Sequence, residues 1–452
     1  MIRFLKRKYH NVVSDDRFSE ILTGSAWALS AQVIATALGL AFSVLVARLY
    51  GAKVVGIVAV INSFLMLATM FTVMGTQTSI LRLIPEHLAK YSPTSAFKVY
   101  RKTQWMVIGV SVITAAMFFF SAHLVADKVF SKPHLADYFA LASVFIVFQA
   151  MMKLNTSAVR GLRLIKLFAV MQFLPQACNL TFLLAAGFLW PSKDVPVHAV
   201  LFGFAATGIT GWFAMELAFK KKMQPGDNVS PLPARAILSI SLPMLMSSAM
   251  VFIIGQTDIL MLGMFRSEAE VGYYAIAVKL ATLTTFVLQA INSMAAPKFS
   301  ELYHTGKMEE LFYVAKKSTK LIFAATTPIL FCLLVFGRPI LDIAFGHDFI
   351  VAYPALLFLA AGQFINSISG STGIFMNMTG NQKVFRNIMA AAAVLNIGLN
   401  LWLIPRFGIN GAAIAAMTSL CSWNLTTLGY MKIKFGKTTG YFPILTKSPL
   451  SF

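Results

Sequence analysis

Two charged residues lie within long apolar runs of this 452-residue chain, where a charge is costly unless it is paired or functional. Asp258 follows Gln256 and Thr257 near the end of one predicted helix, and Lys279 lies seven residues into the next one. At 1.5 Å per residue, both lie roughly 6–11 Å below the same membrane boundary. They are predicted either to form an ion pair that fixes helix packing or to have separate roles. In the second case Lys279 binds a phosphate, while Asp258 exchanges a proton or orients the lysine.

Polar residues also recur on single faces of several predicted helices. The stripes are Ser25, Gln32, Thr36 and Ser43; Asn62, Thr69 and Thr76; Lys279, Thr282, Phe286 and Ser293; and Asn366, Gly370, Gly373 and Asn377. Such stripes predict a hydrated central cavity, and helix packing through small and polar residues is the alternative. The predicted substrate-binding residues of this cavity are Lys279, Asp258, Gln32, Asn62, Gln256, Ser293, Asn366, Arg48 and Lys153.

Arg48 and Lys153 have competing interpretations. Lys153 lies six residues from the end of its helix, with Gln149, Thr156 and Arg160 on the same face. It either snorkels to the interface or helps Arg160 to admit a phosphate. Arg48 lies just beyond the first helix, roughly 140° from the first polar stripe. This position favours an interfacial anchor over a cavity residue.

The sequence contains no recognisable catalytic constellation. There is no Walker motif, no nucleophile elbow and no pairing of His with Cys or Glu at metal-ligand spacing. Cys178, Cys332 and Cys421 each lie in an apolar run and are predicted to be small buried residues. We therefore expect neither an enzyme nor a metal site, and no cofactor. Any work must draw on an ion gradient, a substrate gradient or a partner.

The elements that carry these residues are predicted to be transmembrane α-helices. The chain is 58% hydrophobic and only 12% charged, with a mean hydropathy of +0.73. A soluble domain carries about 25% charged residues. Since a helix needs roughly 20 apolar residues to cross a bilayer, about twelve helices are expected. They are residues 21–46, 54–75, 104–125, 137–159, 167–190, 197–219, 236–262, 272–296, 319–337, 351–376, 384–404 and 409–431.

The basic residues predict the orientation of the chain. With both termini cytoplasmic, the cytoplasmic segments hold 28 Lys and Arg and the external loops hold 8. This bias follows the positive-inside rule and explains the net charge of +21 better than nucleic-acid binding does. The cytoplasmic loops 76–103, 220–235 and 297–318 are amphipathic or basic.

The two halves of the chain show near-constant offsets. Val55-Gly56 and Val271-Gly272 open corresponding helices at an offset of 216, and Lys166/Asn179 match Lys383/Asn396 at 217. A duplication of six helices is predicted, with a substrate path between the halves. The expected organisation is a cytoplasmic segment 1–20, a six-helix bundle 21–219, a linker 220–235, a second bundle 236–431 and a cytoplasmic tail 432–452.

Several motifs together resemble one family. The second half carries Leu242-Pro243, the run QTDILMLG at 256–263, VGYYAIA at 271–277 and APKFSELY at 296–303, and the first half carries ARLYG at 47–51. In order and spacing these resemble the polysaccharide-biosynthesis (Wzx-like) flippases of the MOP superfamily, which also holds the MATE drug exporters. The resemblance covers about residues 20–430.

The resemblance implies an all-α integral membrane protein with two six-helix bundles in a V shape, which works by alternating access. It implies flipping of an undecaprenyl-pyrophosphate-linked oligosaccharide, an O-antigen (lipopolysaccharide) or exopolysaccharide repeat unit, to the external leaflet. Lys279 fits a contact with the pyrophosphate. The implied setting is the bacterial inner membrane, with membrane lipids, a polysaccharide polymerase, a chain-length regulator and H⁺ or Na⁺ coupling as partners. No nucleic acid is expected.

Two other functions remain open at this point. A cation-coupled multidrug exporter of the same fold would use Asp258 as its ion site. A membrane-bound polymerase or ligase usually needs a large external loop, and no predicted external loop exceeds about 13 residues. The flippase is the leading prediction, because the long basic cytoplasmic loops and the tyrosines at 273–274 favour it mildly.

Overall fold

The computed structural model of this chain describes residues 16–189, 192–221 and 232–441. Most of the predicted N-terminal segment and linker, and the end of the predicted tail, lie outside these residues. The described part is built from helices, and no strand occurs in it. The helices are α1 (Asp16–Val73), α2 (Thr76–Lys90), α3 (Pro93–Leu124), α4 (Ala136–Gly161), α5 (Ile165–Leu189), α6 (Val195–Lys220), α7 (Ala234–Phe265), α8 (Glu268–Ala281), α9 (Thr285–His304), α10 (Met308–Ile340), α11 (Tyr353–Ser369), α12 (Thr372–Met378) and α13 (Gln382–Phe435).

Ten stretches of the described chain are long and apolar enough to cross a membrane. Two of them, Leu29–Val73 and Gln382–Phe435, have 45 and 54 residues, which is about twice the length that one crossing requires. Each contains one glycine with positive φ, Gly51 (79°) or Gly408 (56°), where the chain can change direction. Counting these two stretches twice gives the predicted twelve crossings, and the chain is an all-α multi-pass membrane protein.

The predicted helix 272–296 is interrupted in the structure. A 3₁₀ turn, Thr282–Thr284, separates α8 from α9. The hydroxyls of Thr282 and Thr284 donate to the carbonyls of Val278 (2.9 Å) and Ala281 (2.8 Å). Threonine hydroxyls that bond back to their own helix commonly bend it, and this gives a local reason for the break.

The predicted helix 351–376 is also broken, so its polar residues do not form one continuous face. Gly370 has φ 70° and ψ −144°, which ends α11, and α12 begins at Thr372. The carbonyls left at the break accept bonds from the segment after α13. Tyr441 N donates to Ile368 O (2.9 Å), and Thr439 Oγ1 donates to Ser369 O (3.3 Å). The predicted single helix was wrong because a broken helix end needs partners that lie far away in sequence.

The amphipathic loop predicted at 76–103 is itself largely helical. Its first part forms α2, whose buried face includes Ile80, Leu83 and Ile84. Its second part is the first turns of α3, which start at Pro93 with Ser92 as N-cap. Proline in the first turn and serine at the N-cap are the usual residues for a helix start.

The described chain divides into two compact units. Unit 1 contains residues up to Phe42, Leu65–Ala126 and Pro133–Met246, and unit 2 contains Ser43–Phe64, Asp127–Lys132 and the chain from Ser247. The core of unit 1 includes Tyr100 stacked on Phe219, with ring centroids 5.9 Å apart. The core of unit 2 includes Phe375 against Phe312, at 5.1 Å. Two short segments from the first half of the sequence therefore belong to the second unit.

Candidate functional site

Asp258 is the centre of a buried polar cluster in unit 2. Its side chain lies on α7 and the residue is 5% exposed. Tyr274 on α8 donates its hydroxyl to Oδ2 (3.0 Å). Asn396 and Asn400 on α13 both donate side-chain amides to Oδ1, at 3.2 and 2.5 Å. Because Asn396 and Asn400 are four residues apart, they lie on one helix face and reach the same oxygen.

Among the described residues, the hydrogen bonds to the Asp258 carboxylate come from neutral groups. Three neutral donors contact Asp258, and such bonds offset much of the cost of burying a charge. Asn400 Nδ2 also donates to Asn396 Oδ1 (3.1 Å). The Asn400 carbonyl oxygen is buried and has no hydrogen-bond partner among the described residues. The carboxylate of Asp258 can take up a proton, which would remove its charge.

The sequence interpretation did not identify the partners of Asp258. Tyr274 was noted as part of a motif and as one of two tyrosines that favour a flippase, and Asn396 was noted only as part of the repeat between the halves. Asn400 was missed. The signal that could have found it is a pair of asparagines four residues apart within an apolar span, since polar residues at this spacing share a face.

Lys279 does not pair with Asp258 in the described structure. Lys279 is half-buried on α8 and hydrogen-bonds to the Ser43 hydroxyl of α1. No ion pair between Lys279 and Asp258 occurs among the described residues, and the ion-pair alternative was therefore wrong. The reason is the direction of the side chains. Tyr274 faces Asp258, and Lys279 follows it by five residues, which is roughly 140° around the helix.

Other predicted cavity residues of unit 2 have individual partners. Gln256 accepts a hydrogen bond from Ser63 (2.9 Å), and Asn62 is half-buried beside it in sequence. Ser293 is exposed and donates to a carbonyl of its own helix. Asn366 is buried and accepts a bond from the Asn424 amide (3.2 Å). Their predicted role in substrate binding stays a prediction.

The side chain of Arg48, on α1, contacts the turn that follows the C-terminal end of α10. Its guanidinium donates to the carbonyl oxygens of Asp342 (3.0 Å), Ile343 and Ala344 (3.2 Å). These carbonyls belong to a π-helical turn, Leu341–Phe345, that follows α10. A cation on the last carbonyls of a helix satisfies them and complements the helix dipole. Whether Arg48 acts as an interfacial anchor or as a cavity residue stays a prediction.

The two remaining candidates, Gln32 and Lys153, lie in unit 1, whereas the other seven lie in unit 2. Both are half-buried. Near Lys153 on α4, Gln149 accepts a bond from Thr69, and the Arg160 guanidinium lies 5.5 Å from the centroid of the Phe168 ring. In the described part of the chain, no three His, Cys, Asp or Glu side chains are placed to hold a metal ion together.

Comparison with protein families gives two matches. A family model described as polysaccharide biosynthesis protein matches residues 21–303, which is more than half of the chain. A second model, described as MatE, matches residues 243–402. The second match contains the whole Asp258 cluster.

Curated relatives match about half of the chain. The probable low-salt glycan biosynthesis flippase Agl15 of Haloferax volcanii is 26% identical over 235 residues, which is 52% of this chain and 49% of that protein. The succinoglycan biosynthesis transport protein ExoT of Rhizobium meliloti is 24% identical over 202 residues, covering 44% and 40% of the two chains. The matched region therefore spans about half or less of these relatives.

Solved structures share the fold over nearly the full length. A lipid II flippase MurJ in an inward closed conformation has a TM-score of 0.72 at 16% identity, covering 91% of this chain and 87% of that chain. An inward-facing multidrug resistance MATE family transporter of the MOP superfamily has a TM-score of 0.67 at 14% identity, covering 91% and 98%. These likenesses confirm the predicted MOP/MATE-like fold class.

Proposed function

Because this chain belongs to the polysaccharide biosynthesis protein family, we propose that it moves a lipid-linked oligosaccharide from the cytoplasmic to the external leaflet of its membrane. The substrate we propose is an undecaprenyl-pyrophosphate-linked repeat unit of a surface polysaccharide, an O-antigen or an exopolysaccharide, in a bacterial inner membrane. Support comes from the relatives named as a glycan flippase and as a succinoglycan transport protein. Both termini would be cytoplasmic, as the distribution of basic residues predicts.

The observation that carries this proposal is the placement of Lys279. A lysine within a transmembrane segment is expensive and by default indicates a functional site. Lys279 lies in the stretch Glu268–His304 and contacts Ser43 of α1, so a cation and a hydroxyl meet at one place. The Asp258 carboxylate does not contact it, because three neutral donors occupy that carboxylate. A pyrophosphate is an anion that a lysine can bind without a bidentate geometry.

The energy source that we propose is an ion gradient acting through Asp258. The carboxylate accepts hydrogen bonds from Tyr274, Asn396 and Asn400, and Asp258 is only 5% exposed. Binding of H⁺ or Na⁺ would change the charge of this cluster, and a group that binds an ion in one conformation better than in another shifts the balance between them. Lys279 would hold the pyrophosphate while Asp258 responds to the ion. The lipid tail would stay in the bilayer, and a polysaccharide polymerase and a chain-length regulator would use the product.

The test is a transport assay with the purified full chain in lipid vesicles. The vesicles contain a fluorescent undecaprenyl-pyrophosphate-linked oligosaccharide, and a membrane-impermeant reductant reports the fraction exposed outside. We expect Lys279→Ala to slow the exchange about tenfold, which corresponds to about 1.4 kcal/mol. Lys279→Arg keeps the positive charge and should retain most of the activity.

A matched control is Lys317→Ala, which removes an exposed lysine near Tyr313 on α10. It should leave the exchange rate unchanged. Equal rates for Lys279→Ala and Lys279→Arg would reject phosphate binding by Lys279. In cells, deletion of the gene should cause lipid-linked repeat units to accumulate and surface polysaccharide to disappear. Normal glycan and normal lipid intermediates in the deletion strain would reject the proposed substrate.

A multidrug exporter coupled to a cation is the second candidate. The observation that favours it is the MatE match to residues 243–402, which includes Asp258, Tyr274, Asn396 and Asn400. This function would leave surface polysaccharide unchanged in the deletion strain and would alter drug resistance. Measuring both phenotypes in the same strain separates the two candidates.

A further inference from the structure

Two short segments from the first half of the sequence pack with the second half in unit 2. They are Ser43–Phe64, which contains the kink at Gly51, and Asp127–Lys132, which follows α3. The predicted orientation puts both on the external side of the membrane. Alternating access requires some contacts on the external side to break when a substrate leaves to the outside, and the contacts of these two segments are candidates. Their chemistry therefore indicates which of them can open.

One contact is a crossing of two helices at glycine residues. A Cβ added to Gly56 would lie 1.7 Å from the Glu268 carbonyl oxygen. A Cβ added to Gly272 would lie 2.1 Å from the Ala52 carbonyl oxygen. The backbones of α1 and α8 therefore touch directly, as glycine permits at close helix crossings. The contact at the two glycines themselves is between backbones, while the flanking Val55, Ile57 and Val271 are buried.

An ion pair lies at the same crossing. Lys132 Nζ is 3.5 Å from the Glu268 carboxylate and donates to the Arg266 carbonyl oxygen (2.6 Å). The Lys132 and Glu268 side chains are 13% and 10% exposed. Glu268 thus contributes to the contact twice, because its backbone faces Gly56 and its side chain faces Lys132. Loss of the ion pair and separation of the crossing are expected to occur together.

The position of Glu268 explains why this pair can break and form again. Removing one partner of a buried ion pair usually leaves an uncompensated charge. Glu268 is the first residue of α8, where the free N–H groups and the helix dipole stabilise a carboxylate. Ser267 and Glu270 form a capping box there, so the helix start does not depend on Lys132. The ammonium of Lys132 is compact and strongly hydrated, which favours its return to water.

We propose that the Lys132–Glu268 pair and the Gly56/Gly272 crossing form a releasable external latch. The latch holds the external side closed, and it opens once in each transport cycle. This inference rests on the proposed function, because it assumes alternating access. The contact of Arg48 with three carbonyls of one turn is different in kind, since a guanidinium that donates to three backbone oxygens makes a more permanent attachment.

The test measures access to a buried residue from outside. Val60 is 1% exposed, and its side chain lies against Gly263 of α7. A Cβ added to Gly263 would be 2.9 Å from Val60. Val60→Cys, in a full chain whose three cysteines are replaced by alanine, is labelled with a membrane-impermeant maleimide in right-side-out vesicles. We expect slow labelling in this parent. Lys132→Gln and Glu268→Gln should each raise the labelling rate about tenfold, and the double variant should raise it no further.

Two further variants make the result decisive. Lys128→Gln removes an exposed lysine of the same segment, 3.8 Å from Asp127, and should leave labelling unchanged. Lys132→Arg keeps the charge and can bind the carboxylate with two bonds, so it should slow both labelling and transport. Misfolding would expose Val60→Cys and speed labelling. Slower labelling in Lys132→Arg therefore shows an effect that a folding defect would not give. Equal labelling in all variants, or additive effects of the two glutamine variants, would overturn the latch.

The labelling assay requires no glycan. If the latch behaves as expected but no lipid-linked oligosaccharide is moved, only the proposed substrate fails. If the oligosaccharide is moved but substitutions of Lys132 and Glu268 leave the labelling rate unchanged, only the latch fails.

Discussion

Each unit of the molecule contains a buried tyrosine whose hydroxyl enters a hydrogen-bond network, but only one network contains a charge. In unit 1, Tyr100 donates to Asn155 Oδ1 (2.8 Å), and the Asn155 amide donates to the Gly208 carbonyl oxygen (3.2 Å). In unit 2, Tyr274 donates to the Asp258 carboxylate, which also accepts from two asparagines. Tyr100 and Tyr274 are both fully buried.

The difference in charge suggests that the two networks have different roles. In unit 1 the network ends on a backbone carbonyl and joins three helices without a charge, which fixes packing between them. In unit 2 the network surrounds an acid and leaves the Asn400 carbonyl oxygen without a partner among the described residues. A group that can change its charge is a candidate for ion coupling, whereas a neutral amide is not. The difference therefore supports the proposal that ion coupling uses the network of unit 2, whereas the network of unit 1 is neutral and joins helices.

The largest expected effect comes from placing a charge in the neutral network. Asn155→Asp replaces the amide that donates to Gly208 O with an oxygen, so a carboxylate would face a carbonyl in a buried site. An uncompensated buried charge costs about 3–5 kcal/mol. We expect a large fall in the unfolding temperature of the purified protein in detergent. The reciprocal change, Asp258→Asn, keeps a side chain of the same shape and removes a buried charge, so it should cost less than about 1.5 kcal/mol.

Asn155→Ser serves as the control, because it removes the amide without adding a charge. Its loss of stability should lie between those of the other two variants. Should Asn155→Asp be as stable as the parent, the network of unit 1 would tolerate a charge and the distinction between the two networks would be lost.

The next effect concerns transport rather than stability. Asp258→Asn cannot bind a proton or compensate a cation, so transport should no longer vary with pH or with Na⁺ concentration. Lys279→Arg should keep that dependence, because it retains the charge at the proposed phosphate site and leaves the Asp258 cluster intact. The measurement is the initial exchange rate in vesicles across a series of pH and Na⁺ values. An unchanged profile for Asp258→Asn would remove Asp258 from ion coupling.

Much of the fold could be predicted from the sequence because it depends on local physics. The apolar runs are long enough to identify each crossing, and the kinks at Gly51 and Gly408 fall between predicted helices. The break at Gly370 could not be predicted in the same way. It requires the segment near Tyr441 to meet the end of α11, and that contact joins residues about seventy positions apart.

The candidate site was predicted only in part for a related reason. Charge and apolar context identified Asp258 and Lys279, because both properties can be read along the sequence. The partner of each depends on the rotation of its helix and on which helix packs beside it. Tyr274 and Lys279 lie on the same helix, and the sequence placed Lys279 at the same depth as Asp258. Only the structure shows that the tyrosine faces the acid and that the lysine contacts Ser43.

The smallest expected effect separates ion coupling from ordinary acid sensitivity. His87 on α2 is buried beside Ser95, with 2.9 Å between its Nδ1 and the serine hydroxyl. Burial lowers the pKa of His87, and Glu86 partly opposes this. The unfolded chain therefore binds more protons than the folded one near pH 6.5, the ordinary histidine value. The stability contributed by neutral His87 should be complete above that pH and should decrease as the pH falls through it.

His87→Gln should flatten the stability profile between pH 5 and 8, measured by thermal unfolding in detergent, and should leave the pH dependence of transport unchanged. Asp258→Asn, in contrast, should remove the pH dependence of transport. This pair of results would show that acid sensitivity of the fold in unit 1 and ion dependence of transport in unit 2 have separate origins. If His87→Gln also removed the pH dependence of transport, a proton bound in unit 1 would control transport, and Asp258 would not be the sole coupling group.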